Sequence, residues 1–225
     1  MKILIILTIM LFATVNAFAS RGEENALIFE DIIKSYEPQL EAKLGESIMT
    51  TIDENPEITL YYAFGNISVG RRILEEWTPL QVAFGTCHEL GHVLGQWFNP
   101  QYFFAPEGEA DYFAGGCLKK FLDSKGVDII PLASKERLVS DAKCDDSEEI
   151  NCNLIVSVVR GVLSTLSGTE VNENNLDPSE SLPHIEEYIY TSYPSNNCRA
   201  LTSINGALGL DRPSCWFYPG LVKDP

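Results

Sequence analysis

Within a run that opens Thr78-Pro79-Leu80-Gln81 and closes at Gly95, the chain carries Cys87-His88-Glu89-Leu90-Gly91-His92, which uses two of its only three histidines. The opening reads as a helix start. Thr78 can cap, Pro79 fits the first helical position, and Gln81 can complete a reciprocal cap. The helix is expected to run to about Leu94, with Gly95 at its end. Residues four apart on a helix face nearly the same way, about 6 Å apart along the axis. His88 and His92 can therefore aim two imidazoles at one cation, with Glu89 beside it. Neutral imidazole suits zinc, and a carboxylate next to the metal suits a general base.

A zinc site needs a third protein ligand. The longer pattern H-E-x-x-H-x-x-G-x-x-H fits Gly95, but it puts Phe98 where the third histidine belongs. No Met follows Met49 to form a downstream Met-turn either. The metzincin pattern fails on both counts. Downstream stands Pro106-Glu107-Gly108-Glu109-Ala110-Asp111. Here the sequence resembles the gluzincin group of zinc metallopeptidases, in which a second helix brings a glutamate ligand in an E-x-x-A-D-type stretch. The resemblance implies Glu107 as the third ligand and Asp111 as the carboxylate that orients a ligand histidine. It also implies one Zn2+ with an open fourth position for water, and Glu89 as general base in the hydrolysis of a peptide or protein substrate. Glu107 and Asp111 are four apart and share a helix face, whereas Glu109 is expected to point away into solvent. An acidic helix start favoured by the macrodipole accounts for charge at Glu107, but not for the paired histidines.

The phrase C-H-E-L-G-H followed by E-G-E-A-D-Y-F-A-G-G-C is also similar to a set of exported bacterial proteins with zincin-type sites. In those, a cysteine just before the motif accompanies one after the acidic helix, which implies a Cys87–Cys117 bond. Cys117 lies ten residues past Glu107, about 15 Å along a helix, so such a bond is expected to need a break at Gly115-Gly116. The resemblance covers residues 58–117; beyond them it rests on Cys198-Arg199 and residues 212–216.

Other features bound the setting. Lys2 precedes an apolar run over residues 3–15, and Ala17-Phe18-Ala19 supplies a small-x-small end. This predicts a signal peptide over 1–19, removed after Ala19, and a single domain over 20–225 that is periplasmic or secreted, with no stable membrane insertion. Export makes the six cysteines (Cys87, Cys117, Cys144, Cys152, Cys198, Cys215) read as three disulfides. Fifteen pairings of six cysteines exist. Sequential pairing fits the short acidic loop between Cys144 and Cys152 and the turn between Cys198 and Cys215. No C-x-x-C pair supports a thiolate metal site. Sixteen basic against 32 acidic side chains give a net charge of −16, a field that repels phosphate backbones, so no nucleic-acid partner is expected.

The remaining pattern is helical over residues 26–44, where Pro38 is expected to kink or divide the helix, and over 106–122, 134–142, 154–166 and 197–207. Residues 58–64 (ITLYYAF) read as a strand, which resembles the edge strand that pairs with extended substrate in zincins. Residues 97–104 and 167–183 read as loops. The expected fold is mostly helical α+β and zincin-like, with a small sheet and an active-site helix. His184 is the remaining histidine and a candidate oxyanion donor, with Tyr188, Tyr190 and Arg199 as others. Trp97, Phe103 and Phe104 are candidates to line a cleft. The competing function is a catalytically silent zinc-binding regulatory or interaction protein, against which the intact Glu89 argues. A metal-free, disulfide-braced binding module leaves the two histidines unexplained.

Overall fold

A computed structural model describes residues 2–55, 57, 59–95, 105–126, 151–168, 171, 195–213 and 215, with side chains from residue 21 onward. Among these residues the chain is mostly helical α+β. Its elements are α1 (Lys2–Leu44), β1 (Met49–Asp53), β2 (Leu60–Ala63), β3 (Asn66–Gly70), α2 (Arg71–Glu76), α3 (Pro79–Leu94), α4 (Glu107–Lys125), α5 (Cys152–Ser167) and α6 (Asn196–Leu208).

Helix α3 forms as its sequence dictates. Gln81 N–H donates to Thr78 Oγ1 at 3.2 Å and Thr78 N–H donates to Gln81 Oε1 at 3.0 Å, closing the reciprocal cap. Nearly every residue of α3 is buried, as expected for a helix wrapped on all sides. Leu80 and Leu90 are fully enclosed, together with Phe29 of α1, Leu118 and Leu122 of α4, and Ile155 and Leu163 of α5. Asn25 of α1 is also buried, and its side-chain amide donates to the carbonyls of Leu74 and Trp77 at 2.7 and 2.9 Å. That bond ties α1 to the end of α2 and the entry into α3.

The expected division of α1 at Pro38 does not occur; the helix continues across it. Pro38 and Lys34, whose carbonyl loses its partner there, both lie on the solvent side. Phe29, Ile33 and Leu40 are buried on either side of the proline and hold the helix to the core. Water can serve the orphaned carbonyl, so the break is not forced.

The sheet has strand order β1-β3-β2, with β1 parallel and β2 antiparallel to β3. The strand expected over 58–64 is β2, but it stops at Ala63. Phe64 (φ +48°) and Gly65 (φ +80°) form a two-residue turn into β3, the conformation that suits a tight hairpin. Leu60 faces Val69 and Tyr62 faces Ile67, while Gly70 N–H donates to the Thr59 carbonyl. In this register the backbone groups of Leu60 and Tyr62 point away from β3, towards the outer edge. The strands β1 and β3 and the short helix α2 were not expected from the sequence.

Helix α4 packs on the end of α3, and α6 packs on α4. A Cβ on Gly91 would come within 2.6 Å of the Ala110 Cα, so α3 and α4 cross backbone to backbone. A Cβ on Gly115 would drive into the Ser203 carbonyl, and one on Gly206 into that of Tyr112, so α4 and α6 meet equally closely. Cys87 is bonded to Cys117, with Cα atoms 5.7 Å apart, and Cys198 to Cys215 at 6.1 Å. The break expected at Gly115-Gly116 is absent, since α4 runs unbroken through both. Gly91 lies against Ala110 and Cys87 against Cys117, so the two helices run antiparallel. Moving back from the histidines along α3 therefore matches moving forward along α4. Cys144, the expected partner of Cys152, lies outside the described residues, as do residues 97–104 and 134–142; Cys152 is buried at the start of α5.

Candidate metal centre

The α3–α4 crossing brings His88, His92 and Glu107 together, with one ligand atom from each lying within 4.8 Å of the others. His88 Nε2 is 3.1 Å from Glu107 Oε2, and His92 Nε2 is 3.6 Å from Glu107 Oε1. The rings stand nearly perpendicular, at 85°, with centroids 4.8 Å apart.

The opposite nitrogen of each ring is also engaged. His92 Nδ1 lies 2.8 Å from the carbonyl of Ala105, which fixes the ring with Nδ1–H donating and Nε2 as a lone pair. His88 Nδ1 is 3.0 Å from Asp111 Oδ1. His92 held from behind by a carbonyl and His88 backed by the Asp111 carboxylate, with both Nε2 atoms converging on Glu107, form a donor set suited to a divalent cation.

Asp111 is completely buried and is gripped by Arg199 from the first turn of α6, Nε to Oδ2 at 2.8 Å and Nη2 to Oδ1 at 2.9 Å. Arg199 Nη2 also lies 3.7 Å from Glu107 Oε2. Ser195 caps α6 and accepts from Cys198 N–H at 3.3 Å, and the neighbouring Cys198–Cys215 bond fixes this turn. Arg199, read from sequence as one of several oxyanion candidates, thus sits between two carboxylates. The remaining candidates, His184, Tyr188 and Tyr190, lie outside the described residues.

Glu109 departs from expectation. It is 2% exposed rather than solvated, and Arg212 grips it through two bonds of 3.0 and 2.8 Å. The Arg212 guanidinium also covers the Tyr112 ring at 4.1 Å. The close helix crossing seals this face of α4, and the arginine offsets the burial of the charge. Its partner stands 103 residues downstream, which helical spacing cannot reveal.

The charges follow from these contacts. Burial opposes a charged ring at His88, but the bonds and charges of Asp111 and Glu107 outweigh it and raise the pKa to about 10. Burial likewise opposes ionisation of Glu107, yet His88, His92 and Arg199 bring it down to about 2. Asp111 is lowered despite burial, mainly by Arg199 and then His88. His92 is lowered by burial and by the charge on His88. The metal-free cluster therefore sets two cations, His88 and Arg199, against two anions, Glu107 and Asp111. A dication that displaces the His88 proton adds a single positive charge, which one ionised carboxylate balances.

Glu89 is placed to be that carboxylate. It is 7% exposed, and desolvation pushes its pKa up to about 7 against the pull of His88. The backbone N–H of Tyr62, on the outer edge of β2, donates to it. Beside Glu89 and His88 lies a pocket of about 180 Å³, walled by Leu60, Trp77, Phe84 and Leu163 and reached by Arg199. No pattern in the sequence reveals that Tyr62 touches Glu89. Comparisons with known proteins found no matching family model, no similar curated protein and no similar solved structure.

Proposed function

We propose that this chain is an exported, zinc-dependent endopeptidase. The observation that carries the reading is the convergence of His88, His92 and Glu107 next to a buried glutamate that borders both a pocket and the outer edge of β2. Those three residues would hold the ion. When bound, a zinc-type cation supplies Lewis acidity to a carbonyl and to water. Glu89, buried beside the metal-ligating residues, takes a proton from the attacking water and hands it to the leaving amine. The Tyr62 N–H keeps the Glu89 carboxylate aimed during both transfers. Asp111 fixes the His88 ring, and Arg199 fixes Asp111. Leader removal after Ala19 and export are part of the proposal, supported by the disulfides at Cys87–Cys117 and Cys198–Cys215.

The test is metal analysis and peptide-library cleavage by residues 20–225, compared with Glu89→Gln. Wild type is expected to bind one zinc and cleave; the variant is expected to bind zinc equally and lose at least about 10²-fold in kcat. Zinc binding by both with cleavage by neither would leave a silent metal-binding protein. No zinc in either would end the reading altogether.

A further inference from the structure

We infer that Phe64, at the tip of the β2–β3 hairpin, is a specificity-determining contact for an apolar side chain of the peptide substrate, and this rests on the peptidase reading. Phe64 is 91% exposed and is the one non-glycine residue with positive φ, +48°, among the described residues. An aromatic side chain in the left-handed region is strained, and glycine or asparagine would take the position with less strain. Exposure removes packing as the compensation, so neither the turn nor the core accounts for phenylalanine here. Strain of this kind points to a contact made outside the folded chain.

The position of the hairpin names that contact. β2 is an edge strand, and its outer side carries Tyr62 N–H, which bonds to Glu89. Phe64 lies two residues further along, about 7 Å at strand spacing. An extended peptide whose scissile bond sits at Glu89 passes the hairpin tip about two residues from that bond. The exposed ring of Phe64 at this edge favours an apolar residue over a charged one at that point of the substrate.

The experiment takes one peptide that wild type cleaves, plus two relatives: one truncated short of the hairpin and one with the facing apolar residue changed to Ser. Variants are Phe64→Gly and Phe64→Leu. Phe64→Gly is expected to melt no lower than wild type, because it relieves the turn. It is also expected to reduce the kcat/KM preference for the long peptide over its truncated form about tenfold, through KM. Phe64→Leu should restore most of that preference. The Ser peptide should lose its preference with wild type alone. An unchanged preference in Phe64→Gly overturns this inference while leaving the peptidase standing; a wild type that cleaves no peptide overturns both.

Discussion

His88 is where protonation and metal compete. In the metal-free protein its pKa is about 10, so the ring is charged at neutral pH, whereas a metal takes only the neutral ring. Uptake at pH 8 is therefore expected to expel close to one proton. Affinity should rise about tenfold per pH unit between roughly pH 7.5 and 9.5. Calorimetry in buffers of different ionisation enthalpy reads the proton count, and a count of zero would show that His88 is not a ligand. The same shift affects the metal-free fold. Its stabilisation is full below the ordinary histidine value of 6.5 and fades as pH climbs through about 10. Glu107 acts oppositely: its stabilisation is present above the ordinary 4.5 and is lost as pH falls through about 2. Arg199 and Asp111 form a pair whose disruption strands a buried charge. Arg199→Ala is expected to destabilise the protein by about 3–5 kcal/mol in urea titration and to loosen metal binding through His88. The convergence of His88, His92 and Glu107 was legible from spacing and resemblance. The roles of Arg199, Arg212 and the Tyr62 N–H were not, because each depends on a contact made across the chain.

At the level of elements, the sequence was clearest where local chemistry decides. Thr78, Pro79 and Gln81 encode the start of α3. It was least clear where packing overrides local preference. Pro38 is carried within an unbroken helix, and Gly115-Gly116 reads as a break but serves as a crossing surface. Helix arithmetic from Glu107 to Cys117 failed because it neglected the antiparallel path of α3. β1 and β3 are five residues each, and neither carries the aromatic-rich run that marks β2. The crossing of α3 and α4 is itself testable. Gly91→Ala pushes a methyl group to within 2.6 Å of the Ala110 Cα, and backbone cannot yield as a flexible side chain does. A loss of about 1–3 kcal/mol is expected, with weaker metal binding because Glu107 moves away from the histidines. Melting and metal titration of this variant, beside Gly116→Ala as a looser site, check the claim. If Gly91→Ala matches wild type in both, the crossing is less tight than described.

On the scale of the whole molecule, it matters whether the ion builds the site or finds it built. Small zinc modules unfold when stripped of metal, because nothing else brings their ligands together. Here the ligand atoms already lie within 4.8 Å of one another. α3 is buried by α1, α4 and α5, the Cys87–Cys117 bond staples α3 to α4, and Arg199 and Arg212 anchor α4 to the downstream chain. The 30-residue separation of Cys87 and Cys117 implies about 3–4 kcal/mol of stabilisation from loop closure alone. Chelation is therefore expected to leave the far-UV circular dichroism of residues 20–225 unchanged. It should lower the melting temperature only by the binding contribution, about 2.7 kcal/mol at a hundredfold excess over Kd, or roughly 5–10 °C for a chain of this size. If the helical signal collapses when metal is removed, the ion belongs to the folding core rather than to a prepared site. Reducing the disulfides before chelation separates the two supports: the staple's share should then appear as a further fall in melting temperature, with or without metal.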